Sequence, residues 1–142
     1  MARSILLALA CLAVLLAAAG GFFSPSTKAS TVITVPTDYP TIQEAVDAAG
    51  LGDTVRVLAG TYYEHVMVNK SISLVGAGGN TTFIDGSGTG NVVFLGANDT
   101  SVSGFTVMNG GTGVWIAGSN CTVENNIVTA NARNGPPLGG FS

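Results

Sequence analysis

Apolar residues in this chain follow two rhythms. From Thr41 to Asp53, the stretch TIQEAVDAAGLGD sets Ile42, Ala45, Val46 and Ala49 at i, i+3, i+4 and i+7, one stripe along a helix. Thr41 and Glu44 have the spacing of a capping box, in which side chains satisfy backbone N–H groups at a helix start. Gly50 stands where a left-handed C-terminal cap is wanted. The pattern predicts a short capping helix over residues 41–49, marginal alone and in need of an apolar surface to lie on. Elsewhere the rhythm is short and β-branched. Thr31–Val35, Val55–Leu58, Val66–Val68, Ile72–Val75, Phe83–Ile84, Val92–Leu95, Phe105–Val107 and Val114–Ile116 read as strands separated by Gly, Asn, Ser, Thr and Asp. No helical pattern returns after Asp53.

The strands repeat. SVSGFTVMNGG (101–111) aligns with TVENNIVTANA (122–132), so Val102 meets Val123, Gly104 meets Asn125 and Val107 meets Val128, each 21 residues apart. Val93 and Val114 share that offset. A fixed period with short strands predicts a solenoid of stacked parallel strands, apolar side chains inward. Gly and Asn suit the left-handed backbone at its corners. Asn125, Asn126 and Asn131 are placed to form amide ladders between coils. The rival is a β-sandwich with hairpin turns at Asn80, Asp85-Gly86 and Asn109-Gly110; the repeat favours the solenoid. The fold class expected is all-β, with a 30–131 solenoid, its helix, and an irregular tail over 132–142.

Residues 1–29 belong to a different part. Arg3 precedes an uncharged Leu/Ala run from Ile5 to about Phe23, and Ala17-Ala18-Ala19 or Thr27-Lys28-Ala29 offers small residues for cleavage. This is the layout of a secretory signal peptide. Two readings stay open beside it: an uncleaved anchor, which the Ala/Gly tail of the run disfavours, and a lipoprotein cysteine at Cys11. Cleavage after Ala29 takes the formal charge from −3 to −5 and leaves Arg56, Lys70 and Arg133 as the basic residues. That excludes a basic footprint for nucleic acid. Cys121 alone then remains, which rules out an intrachain disulfide or a zinc cluster.

The stretch TVITVPTDYPTIQEAVDAAGLGDTVRVLAGTYYEHVMVNKSISLVGAGGNTTFIDG and the VSGFTV and VENNIV repeats resemble the amino-terminal portion of right-handed parallel β-helix proteins of the pectin-lyase-like superfamily. NosD-like and other archaeal and bacterial cell-surface β-helix proteins are the nearest by pattern. The resemblance covers about Thr31 to Asn131. It implies that the helix caps the open end of the first coil.

AGTYYEHVMV (59–68) concentrates reactive side chains, and Gly60-Thr61-Tyr62-Tyr63-Glu64 also resembles the G-x-Y-x-E pattern of pectin methylesterases. In those enzymes aspartates and an arginine in later coils carry the reaction. Here the acids after Asp53 are Glu64, Asp85, Asp99 and Glu124; Asp85 and Asp99 lie in turn contexts, and nothing predicts the converging pair such chemistry needs. No catalytic residue is assigned: Gly60 is read as a turn, Tyr62 as packing, Glu64 as leaving the core, and the segment as a loop into the first coil. His65 and Met67 share a strand face and suit copper, but two ligands do not make a site. No cofactor is implied. Trp115, between Val114 and Ile116, points outward if the valine points in; with Asn109 and Asn126 it is the candidate ligand-binding set. Asn69, Asn80, Asn98 and Asn120 begin N-x-S/T sequons and are candidate glycosylation sites.

The function expected is a secreted or cell-surface β-helix module, non-catalytic, that binds polysaccharide or builds the envelope. Its membrane contact is confined to an uncleaved amino-terminal segment. Two alternatives are a fragment of a pectin esterase- or lyase-like enzyme lacking its catalytic coils, and a NosD-like periplasmic copper-assembly accessory. ARNGPPLGGFS (132–142) has no strand or helix pattern to cap a last coil, so truncation at the carboxyl end is also expected.

Overall fold

The computed structural model describes residues 27–132, so all of the leader but its last three residues, and the tail beyond Ala132, lie outside the described residues. The elements are β1 (Val32–Val35), α1 (Ile42–Ala48), β2 (Thr54–Val57), β3 (Gly60–Tyr63), β4 (Val66–Val68), β5 (Ser73–Gly76), β6 (Thr82–Asp85), β7 (Asn91–Leu95), β8 (Ser101–Ser103), β9 (Thr106–Met108), β10 (Thr112–Ile116), β11 (Thr122–Glu124) and β12 (Ile127–Thr129). They form three sheets: sheet I in the order β1-β2-β5-β8-β11, sheet II β3-β6-β9-β12, and sheet III β4-β7-β10. Every pairing is parallel. The chain therefore visits sheets I, II and III in turn and climbs one strand spacing per coil, the β-solenoid expected. Among the described residues no antiparallel pair occurs, which excludes the sandwich for them.

Inward positions stack in columns. Ile33, Val55, Leu74, Val102 and Val123 align on sheet I; Tyr62, Ile84, Val107 and Val128 align on sheet II. On sheet III, Val66, Val93 and Val114 align. The middle members are fully buried, each contributing about 1.5–3 kcal/mol of transfer free energy. The last described coil is open, with Ile116, Val123, Ile127 and Val128 exposed.

The period of 21 holds between the third and fourth coils and along sheet III from β7 to β10. It fails earlier: Thr54 pairs with Ser73, 19 residues on, and Ser73 with Ser101, 28 on. The second coil is longer because loops 77–81 and 86–90 bulge from its corners while strand register is kept. Where coils touch closely, the side chain is missing. At the corner between sheets I and II, a Cβ on Gly104 (φ +80°) would lie 2.5 Å from the Gly76 carbonyl oxygen, and a Cβ on Gly76 would lie as close to the Gly104 carbonyl oxygen.

The helix lies over the first coil as expected, burying Ile42, Ala45 and Val46, but two of its ends are made differently. Thr41 Oγ1 accepts from Glu44 N at 3.2 Å, half of a capping box. The remaining N-terminal donors, Ile42 N and Gln43 N, go to the two carboxylate oxygens of Glu64 at 2.9 and 3.0 Å. Gly50 is not a left-handed cap. Lys70 Nζ closes that end, donating to the carbonyls of Asp47 (2.5 Å), Ala49 (2.9 Å) and Val46 (3.4 Å). An anion at the N-terminus and a cation at the C-terminus both complement the helix dipole. The left-handed residue is Gly52.

Candidate functional site

AGTYYEHVMV is two strands, not a loop. Gly60 opens β3 rather than making a turn, and its N–H donates to Thr81 O at 2.9 Å. Tyr62 points inward, half-buried, with its hydroxyl donating to Leu58 O at 3.0 Å. Burial, and then the charge of Glu64, push its pKa up. Glu64 is spent: both oxygens cap α1, so the G-x-Y-x-E glutamate holds a helix rather than facing a substrate. Gln43 closes the adjacent strand edge. Its amide accepts from Met67 N at 2.7 Å and donates to Met67 O at 3.2 Å.

The outer face of sheet III carries the feature of interest. With Val66 and Val68 buried, alternation turns Met67 outward. Register then aligns Met67 with Phe94 and Phe94 with Trp115. Met67 is 50% exposed, Trp115 53%, and Phe94 half-buried between them. Parallel spacing sets the three about 4.8 Å apart per coil, an apolar stripe parallel to the solenoid axis. Beside it, at the corner between sheets II and III, lies a hollow of about 410 Å³ lined by His65, Met67, Thr89, Gly90, Asn91 and Phe94. Loop 86–90 forms its wall. Ser87, Gly88 and Gly90 all have left-handed φ, and Asp85 anchors the loop by accepting from Ser87 N at 2.8 Å. His65 Nδ1 lies 2.9 Å from the Asn91 carbonyl, so Nδ1 carries the proton of that contact and Nε2 is left for other partners.

Trp115 is thus where the sequence places it. Asn109 and Asn126 are not on this face. Asn109 (φ +54°) donates to Asp85 Oδ2 at 2.8 Å. Asn126 accepts from Phe105 N at 3.0 Å and donates to Val102 O at 2.8 Å. Asn131 acts likewise on Gly110 N and Val107 O. These amides bridge coil to coil by bonding backbone groups and Asp85 rather than one another, and Asn125, at φ +54°, takes no part: its side chain makes no hydrogen bond among the described residues. His65 and Met67 do meet in the hollow, but its other lining groups are a threonine, an asparagine and apolar residues, none a strong copper donor. No cluster of three or more His, Cys, Asp or Glu occurs among the described residues. Cys121 is a half-buried free thiol within 3.3 Å of Ala97 O. Phe94 is the residue sequence reasoning missed. Its link to Met67 spans 27 positions and its link to Trp115 21, so only the longer second coil brings all three into line.

No family model matches the chain. A protein named cell surface glycoprotein, from Methanothermus fervidus, is 29% identical over 93 residues, which is 63% of this chain and 16% of that protein. The chain therefore corresponds to a small part of that relative's length.

Proposed function

We propose that this chain is a cell-surface β-helix module of the NosD-like, pectin-lyase-like kind, and that it binds glycan non-catalytically along the outer face of sheet III. The carrying observation is the Met67–Phe94–Trp115 stripe beside a polar-edged hollow. Sugar rings combine an apolar C–H face with a rim of hydroxyls. The stripe supplies flat apolar contact repeating at the strand spacing, and His65, Thr89 and Asn91 supply hydrogen-bonding groups at its edge. Glycan sites of this kind join aromatic surface to a few placed polar groups. The cell-surface location draws support from the similarity to the Methanothermus fervidus protein. The non-catalytic reading draws support from Glu64, whose carboxylate is occupied at the helix.

Trp115 is the only tryptophan in the chain, so its fluorescence reports this face alone. Titration with envelope polysaccharides and pectic oligomers is expected to shift Trp115 emission without releasing product. Phe94→Ala is expected to weaken binding at least tenfold, about 1.4 kcal/mol. Emission unmoved by every glycan tried counts against the site, and release of reducing ends or methanol moves the assignment to an enzyme.

A further inference from the structure

We infer that Asn69, Asn80 and Asn98 carry N-linked oligosaccharide and that Asn120 does not, which dresses the two corners that bound sheet I; the third corner holds no sequon and stays bare. The inference rests on the cell-surface reading above. All four asparagines are exposed, yet they differ in what their amides do. Asn120, at left-handed φ +55°, donates its Nδ2 to Asp99 Oδ1 at 2.6 Å. Asn98 uses only its oxygen, accepting from Ser119 N at 2.8 Å, and its Nδ2 has no acceptor among the described residues. Asn69 and Asn80 make no side-chain hydrogen bond among the described residues. The contrast with the ladder asparagines is direct. Asn109, Asn126 and Asn131, none in a sequon, all spend Nδ2 inside the fold.

Topology gives the pattern a direction. Asn69 and Asn98 lie between sheets III and I, in the first and second coils; Asn80 lies between sheets I and II in the second. These are the two corners that bound sheet I. The third corner, between sheets II and III, holds the His65 hollow and lies opposite sheet I in a three-sided coil. Oligosaccharide on the three acceptors would flank sheet I, whose outward column is Thr34, Arg56, Val75, Ser103 and Glu124, and leave the hollow open.

The modification is a group transfer from a lipid-diphosphate-linked oligosaccharide. Asparagine Nδ2 attacks the anomeric carbon, the N–C bond forms, the C–O bond to diphosphate breaks, lipid diphosphate leaves, and one Nδ2 proton passes to a base of the transferase. An Nδ2 already donating at 2.6 Å must break that bond to react, which sets Asn120 apart.

The test uses the full chain recovered from the cells that make it, released from intact cells by protease shaving and compared with the intracellular fraction. Peptide mass spectrometry is expected to find glycan-bearing peptides at Asn69, Asn80 and Asn98 and a bare Asn120 peptide. Asn69→Gln, Asn80→Gln and Asn98→Gln are each expected to remove one glycan mass, and Asn120→Gln none. Shaved protein bare at all three sites overturns the glycosylation and leaves the surface reading standing. Protein found only inside the cells, and bare, overturns both. Glycan on Asn120 overturns the role given to its hydrogen bond.

Discussion

Asp53 shows how much one side chain can organise. It is buried at the turn that separates the helical pattern from the strands. Its carboxylate accepts from Thr31 N at 2.9 Å and Gly50 N at 2.8 Å, and meets Lys28 Nζ at 3.3 Å, so it ties the entering chain to the end of the helical segment. The Thr31 N–H, then the Gly50 N–H, hold its pKa below the ordinary carboxylate value, with Lys28 adding to them and burial opposing. A pKa lowered by folding contributes stability that is present above the unfolded value of about 3.9 and is lost as pH falls through the folded one. The thermal midpoint is therefore expected to drop as pH goes below about 4. Asp53→Asn should lower the midpoint at neutral pH and flatten that acid limb, as read by circular dichroism melts. In the sequence Asp53 marks only the place where the helical pattern ends, because its partners lie 22 positions before it and 3 before it, and no local pattern links them.

At the scale of elements, α1 is the clearest case of a local signal completed from elsewhere. Its stripe, its Thr41 cap and its bounds to within a residue follow from spacing alone. Its electrostatic ends do not. Glu64 and Lys70 arrive from the coil beneath, 21 to 24 residues away. Seven helical residues are too few to persist without such support. Glu64→Ala is expected to destabilise the protein by about 1.5–3 kcal/mol, the range for hydrogen bonds to a charged group. Lys70→Met should cost a similar amount, and the double substitution less than the sum if the two act through one docked helix. Urea unfolding of the four proteins checks this. A normal stability for Glu64→Ala would mean that its carboxylate does not hold the helix in place. The strand β3 was misread as loop because Gly60, Thr61, Tyr62 and Tyr63 lack an apolar alternation: its inward side chain is a tyrosine and its first residue has none.

Across the whole molecule, stability is graded along the axis. Central columns are sealed by coils on both sides, whereas the last described coil has solvent on one. Leu74, fully buried mid-column, is expected to cost about 2–5 kcal/mol on truncation to alanine. Val128, 52% exposed on the same kind of inward position, should cost well under half of that. Equal losses in chemical denaturation would mean that the outer coil is as enclosed as the middle. The proposed glycan stripe runs along the same axis. Met67, Phe94 and Trp115 sit on the first three coils of sheet III; the backs of Met67 and Phe94, namely Val66, Val68, Val93 and Leu95, are fully enclosed, whereas behind Trp115 Ile116 is exposed. The Met67 and Phe94 part of the stripe, backed by packed side chains, loses little freedom when it meets a ligand.

What this chain's sequence determined by itself is the kind of object it is. A helix period confined to one stretch, β-branched runs between Asn and Gly, and matches at 21 residues favour parallel coils with an apolar lumen over a sandwich, because those preferences act within a residue's own neighbourhood or repeat at a constant step. What only the tertiary structure decided is which distant residues become neighbours. Coil lengths of 19 and 28 break the constant step, so the apposition of Met67, Phe94 and Trp115, the capture of α1 by Glu64 and Lys70, and the division of asparagines into ladder and surface emerge once the coils are stacked. Register through parallel backbone hydrogen bonds, not spacing along the chain, sets who touches whom.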